Sequence, residues 1–528
     1  MILCFAIVGF LIPDVSDIRE EVGDEAREAL RPVITAEVKA DMDPYYYTPE
    51  DIAVEIAYEL DTAVDRKVSA AVGVKFGLWT LIPAFFLIIY IFATKRIVEA
   101  LTLATVLGCI MAYKGDFFEL FNDVVLGVLM DEDMAWLITV CGLMGGIVAV
   151  IEKSGGGFAF ANLAQKIAKT PRQTLLATMF CSLLLCIDDY LAALTTGIAM
   201  TSINDKHRTP REMTSYVIDS TAAPACVLMP FSTWALFIGG LMVKEGLGEP
   251  GTQVLTFIKT VPFSFYSFAT LIIVFLVVIG VIPVFGPMKG AYKRVAEGGP
   301  TAPPGSERID IRSGAEAIEV PDNPKIYNFF APILLLIGAT FFFEFDMQMG
   351  VITTVAFCFL FFVAQGMEPM DFVDQILRGL KNMLLPLLLM VLAFSFADMC
   401  DYIGFIEYII ALATTHVTPP MLFVTLFIVF MLTEFIMGIN WGMYIIALPI
   451  AVPVALGLGV DPFMAVGAIT SAGVWGSHSC FYSDATVLVS AATGCDNFRH
   501  AYTQIPYGIM GGVIAIIGFI ILGQVMYG

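Results

Sequence analysis

The chain has 528 residues, 58% of them hydrophobic and 15% charged, with a mean hydropathy of +0.82. Soluble domains carry about 25% charged residues, and apolar runs of about 20 residues can cross a bilayer, so a soluble enzyme is excluded and a polytopic membrane protein is expected. The net charge of −21 is concentrated: Asp14 to Asp65 holds 16 acidic and 4 basic side chains. The rest is only mildly acidic, which argues against nucleic acid as a partner.

In chain order, Met1 to Pro13 is apolar but short for a span and lacks a basic flank, so it reads as a membrane-dipping or signal-anchor segment. Residues 14–67 read as an acidic arm with helix-like stretches such as Asp17 to Leu30. Apolar spans are expected at 76–93, 97–113, 134–152, 173–203, 212–243 and 252–287. A second set is expected at 326–345, 349–365, 383–400, 419–457, 463–493 and 504–527. Between the sets, 289–325 is rich in Gly, Pro and mixed charge, the composition of a flexible linker. The expected organisation is therefore a short segment 1–13, an arm 14–67, a transmembrane half 68–288, a cytoplasmic linker 289–325 and a second half 326–528.

Basic residues orient the chain. Lys166, Lys169 and Arg172 precede the 173–203 segment, and Lys206, Arg208 and Arg211 follow it. The positive-inside rule puts both flanks in the cytoplasm, so 173–203 reads as a re-entrant hairpin with Asp188-Asp189 at its tip. By parity, 419–457 enters from the opposite side, with flanks that hold no Lys or Arg and a Gly438-Ile-Asn440-Trp-Gly442 break. Loops assigned to the cytoplasm hold 18 Lys and Arg, and outside loops beyond the arm hold three, Lys114, Lys244 and Lys259. Arg66, Lys67 and Lys75 run against this count, and parity still leaves the acidic arm outside the cytoplasm. Asp205, Lys206, Arg208, Arg211 and Glu212 read as loop charges that set this topology.

The halves align at an offset of 252, which pairs Asp188 with Asn440 and Ser232 with Asp484. With opposite orientations this is an inverted repeat, an all-α polytopic design with two re-entrant hairpins and two broken helices. Secondary transporters of this kind hold their substrate at the repeat interface. A broken backbone at lipid depth needs protein or water to satisfy it, and ionisable groups there are functional candidates. The candidates are Asp188, Asp189, Asp219, Asp484 and Glu434, with His478 nearby. Around them stand Thr195, Thr196, Ser220, Thr221, Ser232, Asn440, Ser477, Ser479, Ser483 and Thr486. No Lys or Arg lies within the four hairpin or broken segments, so the set suits a hard cation such as Na⁺, placed at Asp188 and Asp484, rather than an anion. A carboxylate that holds either Na⁺ or H⁺ makes the exchange obligatory without covalent chemistry.

Structural roles compete with each assignment. Asp188 and Asp189 could cap a hairpin tip, Asp484 could be a helix N-cap, His478 could be a satisfied core residue, and Glu434 could serve an interhelical contact. Trp234 and Trp441 read as packing residues. The cysteines read as small core residues without a CxxC pair, and the histidines form no ligand-spaced cluster, so no cofactor or resident metal is expected.

The run Ile187-Asp-Asp-Tyr190, Leu194-Thr-x-Gly197, Met200, Asp205-Lys206, Arg211-Glu212, Tyr216, Ile218-Asp-Ser-Thr-Ala-Ala-Pro224 and Pro230-x-Ser232-x-Trp234-Ala235 resembles the NhaC-type Na⁺/H⁺ antiporter family of the ion transporter superfamily. Gly476-Ser-His-Ser-Cys-Phe-Tyr-Ser-Asp-Ala-Thr486 is similar to that family's Gly-Asp-His-Cys-Ser-Pro-Ile-Ser-Asp-Thr-Thr, and Cys495-Asp496, His500, Thr503-Gln504 and Pro506-Tyr507 fit as well. The resemblance covers about 76–527. It implies a cation:proton antiporter of the prokaryotic plasma membrane, a homodimer with elevator-type alternating access, carrying Na⁺ (or Li⁺) and H⁺. Asp188, Asp219, His478, Ser483, Asp484 and Thr486 match its motif residues. Ser477 stands where the pattern has an acid, and Phe481 where it has proline. The alternative is coupled transport of a small organic solute, an amino acid, amine or carboxylate, motivated by Ser477, Asp189 and the Trp234 and Trp441 rings. A receptor or an enzyme fits the repeat less well, because nothing resembles a nucleophile–base pair.

Overall fold

A computed structural model describes residues 16–41, 48–94, 96–114, 116–156, 159, 168–306, 325–343, 346–437, 440–481 and 483–528. The segment 1–13, linker residues 307–324 and Gly438-Ile439 lie outside the described residues. So do the side chains of Asn440 and Asp484.

The described residues form α-helices and short 3₁₀ turns, with no strand. In order the helices are α1 (Ser16–Asp41), α2 (Pro49–Phe76), α3 (Ile82–Thr94), α4 (Ile97–Ala112), α5 (Phe117–Met130) and α6 (Glu132–Lys153). Then come α7 (Pro171–Leu184), α8 (Asp189–Lys206), α9 (Arg211–Leu228), α10 (Thr233–Lys244), α11 (Gln253–Ile258), α12 (Phe265–Ile279) and α13 (Gly286–Ala296). The rest are α14 (Tyr327–Phe342), α15 (Met347–Val363), α16 (Pro369–Tyr402), α17 (Phe405–His416), α18 (Leu422–Met437), α19 (Asn440–Gly457), α20 (Pro462–Ser479), α21 (Asp484–Thr493) and α22 (Asn497–Tyr527).

The chain divides into two compact units. One holds the described residues up to Met130 together with Leu389–Val417. In it the acidic arm is a helical pair. Leu60, Val64, Val68 and Val72 recur every four residues along α2, a helical stripe, and are buried with Ala26 and Val38 of α1. The charged faces stay in solvent, and the Arg27–Asp61 ion pair at 2.6 Å is too exposed to stabilise much. Arg19 lies over the Tyr402 ring at 3.9 Å and donates to its carbonyl. A 3₁₀ turn joins α2 to α3, giving an apolar stretch, Lys67–Tyr90, long enough to cross a membrane.

The other unit holds Asp131–Leu388 and Thr418–Gly528. Its core includes Leu175, Met179, Met213, Tyr216, Ile273, Val277 and Tyr507. Helices α6 and α16 cross backbone to backbone: a Cβ on Gly379 would land on the Gly145 carbonyl, so only glycine permits the approach.

Several expected spans come out differently. Met134–Lys153, Pro369–Tyr402 and Asn497–Tyr527 are long and apolar enough to cross, as are the bent pairs α9–α10 (44°) and Gln253–Phe263 with α12 (62°). The expected spans 97–113, 326–345 and 349–365 are helices of 16, 16 and 17 residues. At about 1.5 Å per residue each is shorter than a hydrocarbon core of about 30 Å. The segment 252–287, read as one span, is bent at Thr260–Ser264. The segment 383–400 belongs to the longer α16. The linker also begins as structure rather than open chain. Helix α13 buries Met288, Ala291 and Val295, an i, i+3, i+7 stripe hidden among glycines and charges.

Candidate functional site

The site is built where helices stop. Helix α7 starts with Thr170 as N-cap and Pro171 in the first turn, and ends at Leu184. The chain then extends through Asp188 (φ −142°, ψ 130°), whose carboxylate caps α8 by accepting from Leu191 N at 2.9 Å. The second break follows a different rule. Met229 precedes Pro230, a position biased towards extended backbone, and its ψ of 118° ends α9. Ser232 then caps α10, accepting from Ala235 N at 3.1 Å and donating to the Cys226 carbonyl at 2.6 Å.

The two breaks are joined. Thr233 N donates to the Ile187 carbonyl at 2.9 Å, and Thr233 Oγ1 donates to Asp188 Oδ2 at 3.1 Å. Asp188 is 2% exposed, yet it borders a cavity of about 330 Å³. Helix α8 lines the cavity with Tyr190, Leu191 and Leu194, and α6 with Gly145, Val148 and Glu152. The remaining wall is Arg378, Asn382 and Met383 of α16, with Leu488 of α21. Arg378 pairs with Glu152 at 3.5 Å. The four interrupted segments hold no Lys or Arg, but α16 brings one to the cavity from outside them.

The same devices recur in the second half. Ser483 caps α21, accepting from Thr486 N at 3.2 Å, and donates to the Ser477 carbonyl six residues back, as Ser232 does to Cys226. Cys480 is extended (ψ 141°) although Phe481 replaces proline after it, and the Asn497 amide holds the Phe481 carbonyl. Helices α7, α8, α9 and α10 begin 251 residues before α18, α19, α20 and α21. The register is thus 251 rather than 252, and it pairs Asp189 with Asn440 and Ser232 with Ser483. It also pairs Tyr190 with Trp441, which touch: Trp441 Nε1 donates to Tyr190 OH at 3.1 Å. Trp234 stacks on Trp441 at 4.3 Å, so the aromatic pair packs one break against the other.

A second polar cluster lies on α9, α12, α20, α21 and α22. His478 has both ring nitrogens engaged, with Ser220 Oγ and Tyr266 OH, each at 3.0 Å. Gln504 donates to Asp219 at 2.8 Å and to the His478 carbonyl. His500 Nε2 stands 3.5 Å from Asp219, with Ser490 at its other nitrogen. All of these groups are buried.

The expected residues therefore fall into distinct places. Asp188 lies at the cavity, and Asp189 is the buried first residue of α8, with Thr195 and Thr196 buried further along it. Asp219, Ser220 and His478 share the second cluster, while Thr221 turns its hydroxyl to the Val217 carbonyl. Ser483 and Thr486 form the α21 cap with the Ser477 carbonyl, and Ser483, not Asp484, is the N-cap. Ser477 and Ser479 are buried at the end of α20. Glu434 sits apart, against Gly476. Sequence reading passed over Thr233, Glu152, Arg378, Asn382, Tyr266, His500 and Gln504. His500 and Gln504 stood in the motif block without a role. Thr233 was an unassigned position between Ser232 and Trp234.

A Haemophilus influenzae protein described only as uncharacterized is 24% identical over 490 residues, covering 85% of this chain and 91% of its own. The solved Alcanivorax borkumensis YdaH transporter has a similar fold, with a TM-score of 0.54 at 13% identity over 78% of this chain and 88% of that one. Neisseria gonorrhoeae MtrF, described as illuminating a class of antimetabolite efflux pumps, superposes at a TM-score of 0.48, 13% identity, over 78% and 85% of the two chains. The sequence profile of the Na⁺/H⁺ antiporter family matches residues 225–524, more than half of the chain, which therefore belongs to that family.

Proposed function

We propose that this multi-pass membrane protein exchanges Na⁺ (or Li⁺) for H⁺, with Asp188 as the carboxylate that carries one or the other. The observation that carries the reading is the position of Asp188. It is a buried acid at a helix break, oriented by Leu191 N and Thr233 Oγ1, and it borders a cavity. Each carboxylate oxygen has two lone pairs and spends one here, which leaves acceptor capacity towards the cavity. A cation entering such a site needs oxygen ligands to replace its water, and a carboxylate, hydroxyls and carbonyls freed at the breaks are of the right kind. Na⁺ and H⁺ exclude each other on one carboxylate. If the loaded site faces either side in turn, the two fluxes are coupled.

The NhaC-type branch, the inverted repeat with re-entrant hairpins at α7–α8 and α18–α19, elevator motion and a homodimer complete the proposal. The common 251-residue register and the matched serine caps support the repeat. Asp484, Asn440 and Ser483 would be the second-half contribution, and the cell membrane the location, with the acidic arm outside the cytoplasm.

Reconstitution in proteoliposomes tests this directly. Na⁺ or Li⁺ should collapse an imposed pH gradient, and Asp188→Asn should abolish the response while the purified variant still elutes as a folded species. Failure of both ions with wild-type protein, or wild-type rates in Asp188→Asn, overturns the assignment.

A further inference from the structure

The cavity beside Asp188 is larger and more varied than a bare monovalent cation requires. Its volume of about 330 Å³ would hold roughly ten waters at about 30 Å³ each. It also lies at the lower end of the range of about 300–1,000 Å³ typical of pockets for organic ligands. Its charges are of both signs and come from different helices. Asp188 is negative at the α7–α8 break, and Arg378 on α16 is positive. Asn382 lies one helical turn after Arg378, so the two can address one ligand group from the same face. Leu191, Leu194 and Met383 are apolar parts of the same wall.

From this juxtaposition we propose that the cavity binds a zwitterionic α-amino acid with an aliphatic side chain. The carboxylate is held by the Arg378 guanidinium and the Asn382 amide, the ammonium by Asp188, and the side chain lies on the leucines. Arg378 can turn to a ligand because its present partners are loosely held: Glu152 and Gln375 Oε1 are each 3.5 Å away, and the Arg378 side chain is 33% exposed. A guanidinium takes a carboxylate with two parallel hydrogen bonds, a geometry that Glu152 does not supply at this distance. Glu152, released, faces the same space and adds a second acceptor for the ammonium. This proposal rests on Asp188 as the cation-carrying group and adds the solute class that shares its cavity.

Thermal unfolding of the purified full-length protein, with L-leucine as the probe, tests it. L-leucine should raise the melting temperature by a few degrees, whereas 4-methylpentanoate, lacking the amine, and 3-methylbutylamine, lacking the carboxylate, should not. Arg378→Gln should lose the leucine shift and Arg378→Lys should keep part of it. Leu194→Trp, which fills the cavity without touching a charge, should lose it too. No shift with L-leucine, or equal shifts with either half-analogue, overturns the proposal. Collapse of a pH gradient by Na⁺ is read separately on the same wild-type preparation. Leucine binding without Na⁺ flux would sink the exchange reading alone, and Na⁺ flux without leucine binding would sink this one alone.

Discussion

Asp188 is held by one backbone amide and one hydroxyl, and only the hydroxyl can be removed by substitution. The Leu191 amide is an ordinary N-cap bond that forms wherever the helix forms. The Thr233 hydroxyl reaches Asp188 from the other break, so it fixes the carboxylate relative to α10 rather than to its own helix. Thr233→Val keeps the branched shape and removes the donor. Hydrogen bonds to charged groups contribute about 1.5–3 kcal/mol, so a loss at the low end corresponds to about a tenfold rise in the Na⁺ concentration for half-maximal exchange. Thr233→Ser should stay near wild type, and a titration of pH-gradient collapse against Na⁺ measures both. Unchanged Na⁺ dependence in Thr233→Val would mean that the bond does not position the carboxylate. Asp188 was legible in the sequence because an acidic pair inside a 31-residue segment with no other charge has few inexpensive places to be. Thr233 was not, because a threonine in a helix usually bonds its own backbone, and nothing local says that this one points across a break. His478 shows the converse. Its residue type invites a proton-carrying role, but both nitrogens are spent on Ser220 and Tyr266, and it ties α9 to α12 and α20.

Helix ends, more than helix faces, organise the elements around the cavity. One clamp gathers several of them. Arg294 of α13 makes a two-pronged pair with Glu212 of α9 at 2.7 and 2.8 Å, and it also donates to the Thr301 carbonyl at 3.0 Å. Arg211, next to Glu212, bonds Asp205 of α8 at 2.8 Å and the Gly494 carbonyl after α21. Arg208 takes a left-handed backbone (φ 57°) and donates to the Val295 and Gly299 carbonyls. Because Glu212 is 1% exposed, Arg294→Leu leaves a buried carboxylate without its partner, which costs about 3–5 kcal/mol. The melting temperature in detergent should fall by several degrees, and the double variant Glu212→Leu/Arg294→Leu should recover most of the loss. An unchanged melt in the single variant would mean that the pair contributes nothing. This clamp was invisible to composition. A Gly/Pro-rich stretch was expected to stay open, and the three apolar residues of α13 are too few to register against it. The 62° bend at Ser264 was missed although Lys259 and Pro262 stand beside it, because the long apolar runs on both sides read as one span; the bend is held by Ser264 and Tyr266 N against Thr470 and Ser471. The break after Met229 is marked locally by Pro230, whereas the second break, expected from Gly473 to Ser483, is shorter: α20 stays helical through Gly473 to Ser479, and Ser483 caps α21.

At the scale of the molecule, more than half of the excess negative charge is the acidic arm, and the acids at the cavity scarcely alter the total. What the total cannot give is sidedness, on which the proposed exchange depends. The 251-residue register offers a direct test. Lys206 ends α8 and Gly457 ends α19; they occupy equivalent places in the two halves, and both are exposed. An inverted repeat requires them on opposite sides of the membrane, whereas a parallel repeat puts them on the same side. The background for labelling is low, because the nine described cysteines are all buried, and Cys4→Ser removes the tenth. In intact cells, an impermeant maleimide should label Gly457→Cys at once and Lys206→Cys only after lysis. Glu25→Cys, on the exposed face of α1, should label with Gly457→Cys if the arm is outside. Equal labelling of the 206 and 457 positions from one side would end the inverted arrangement and alternating access through related halves. Labelling of the 25 position with the 206 position would instead move the arm to the cytoplasm, in line with the basic residues Arg66, Lys67 and Lys75 that flank its exit.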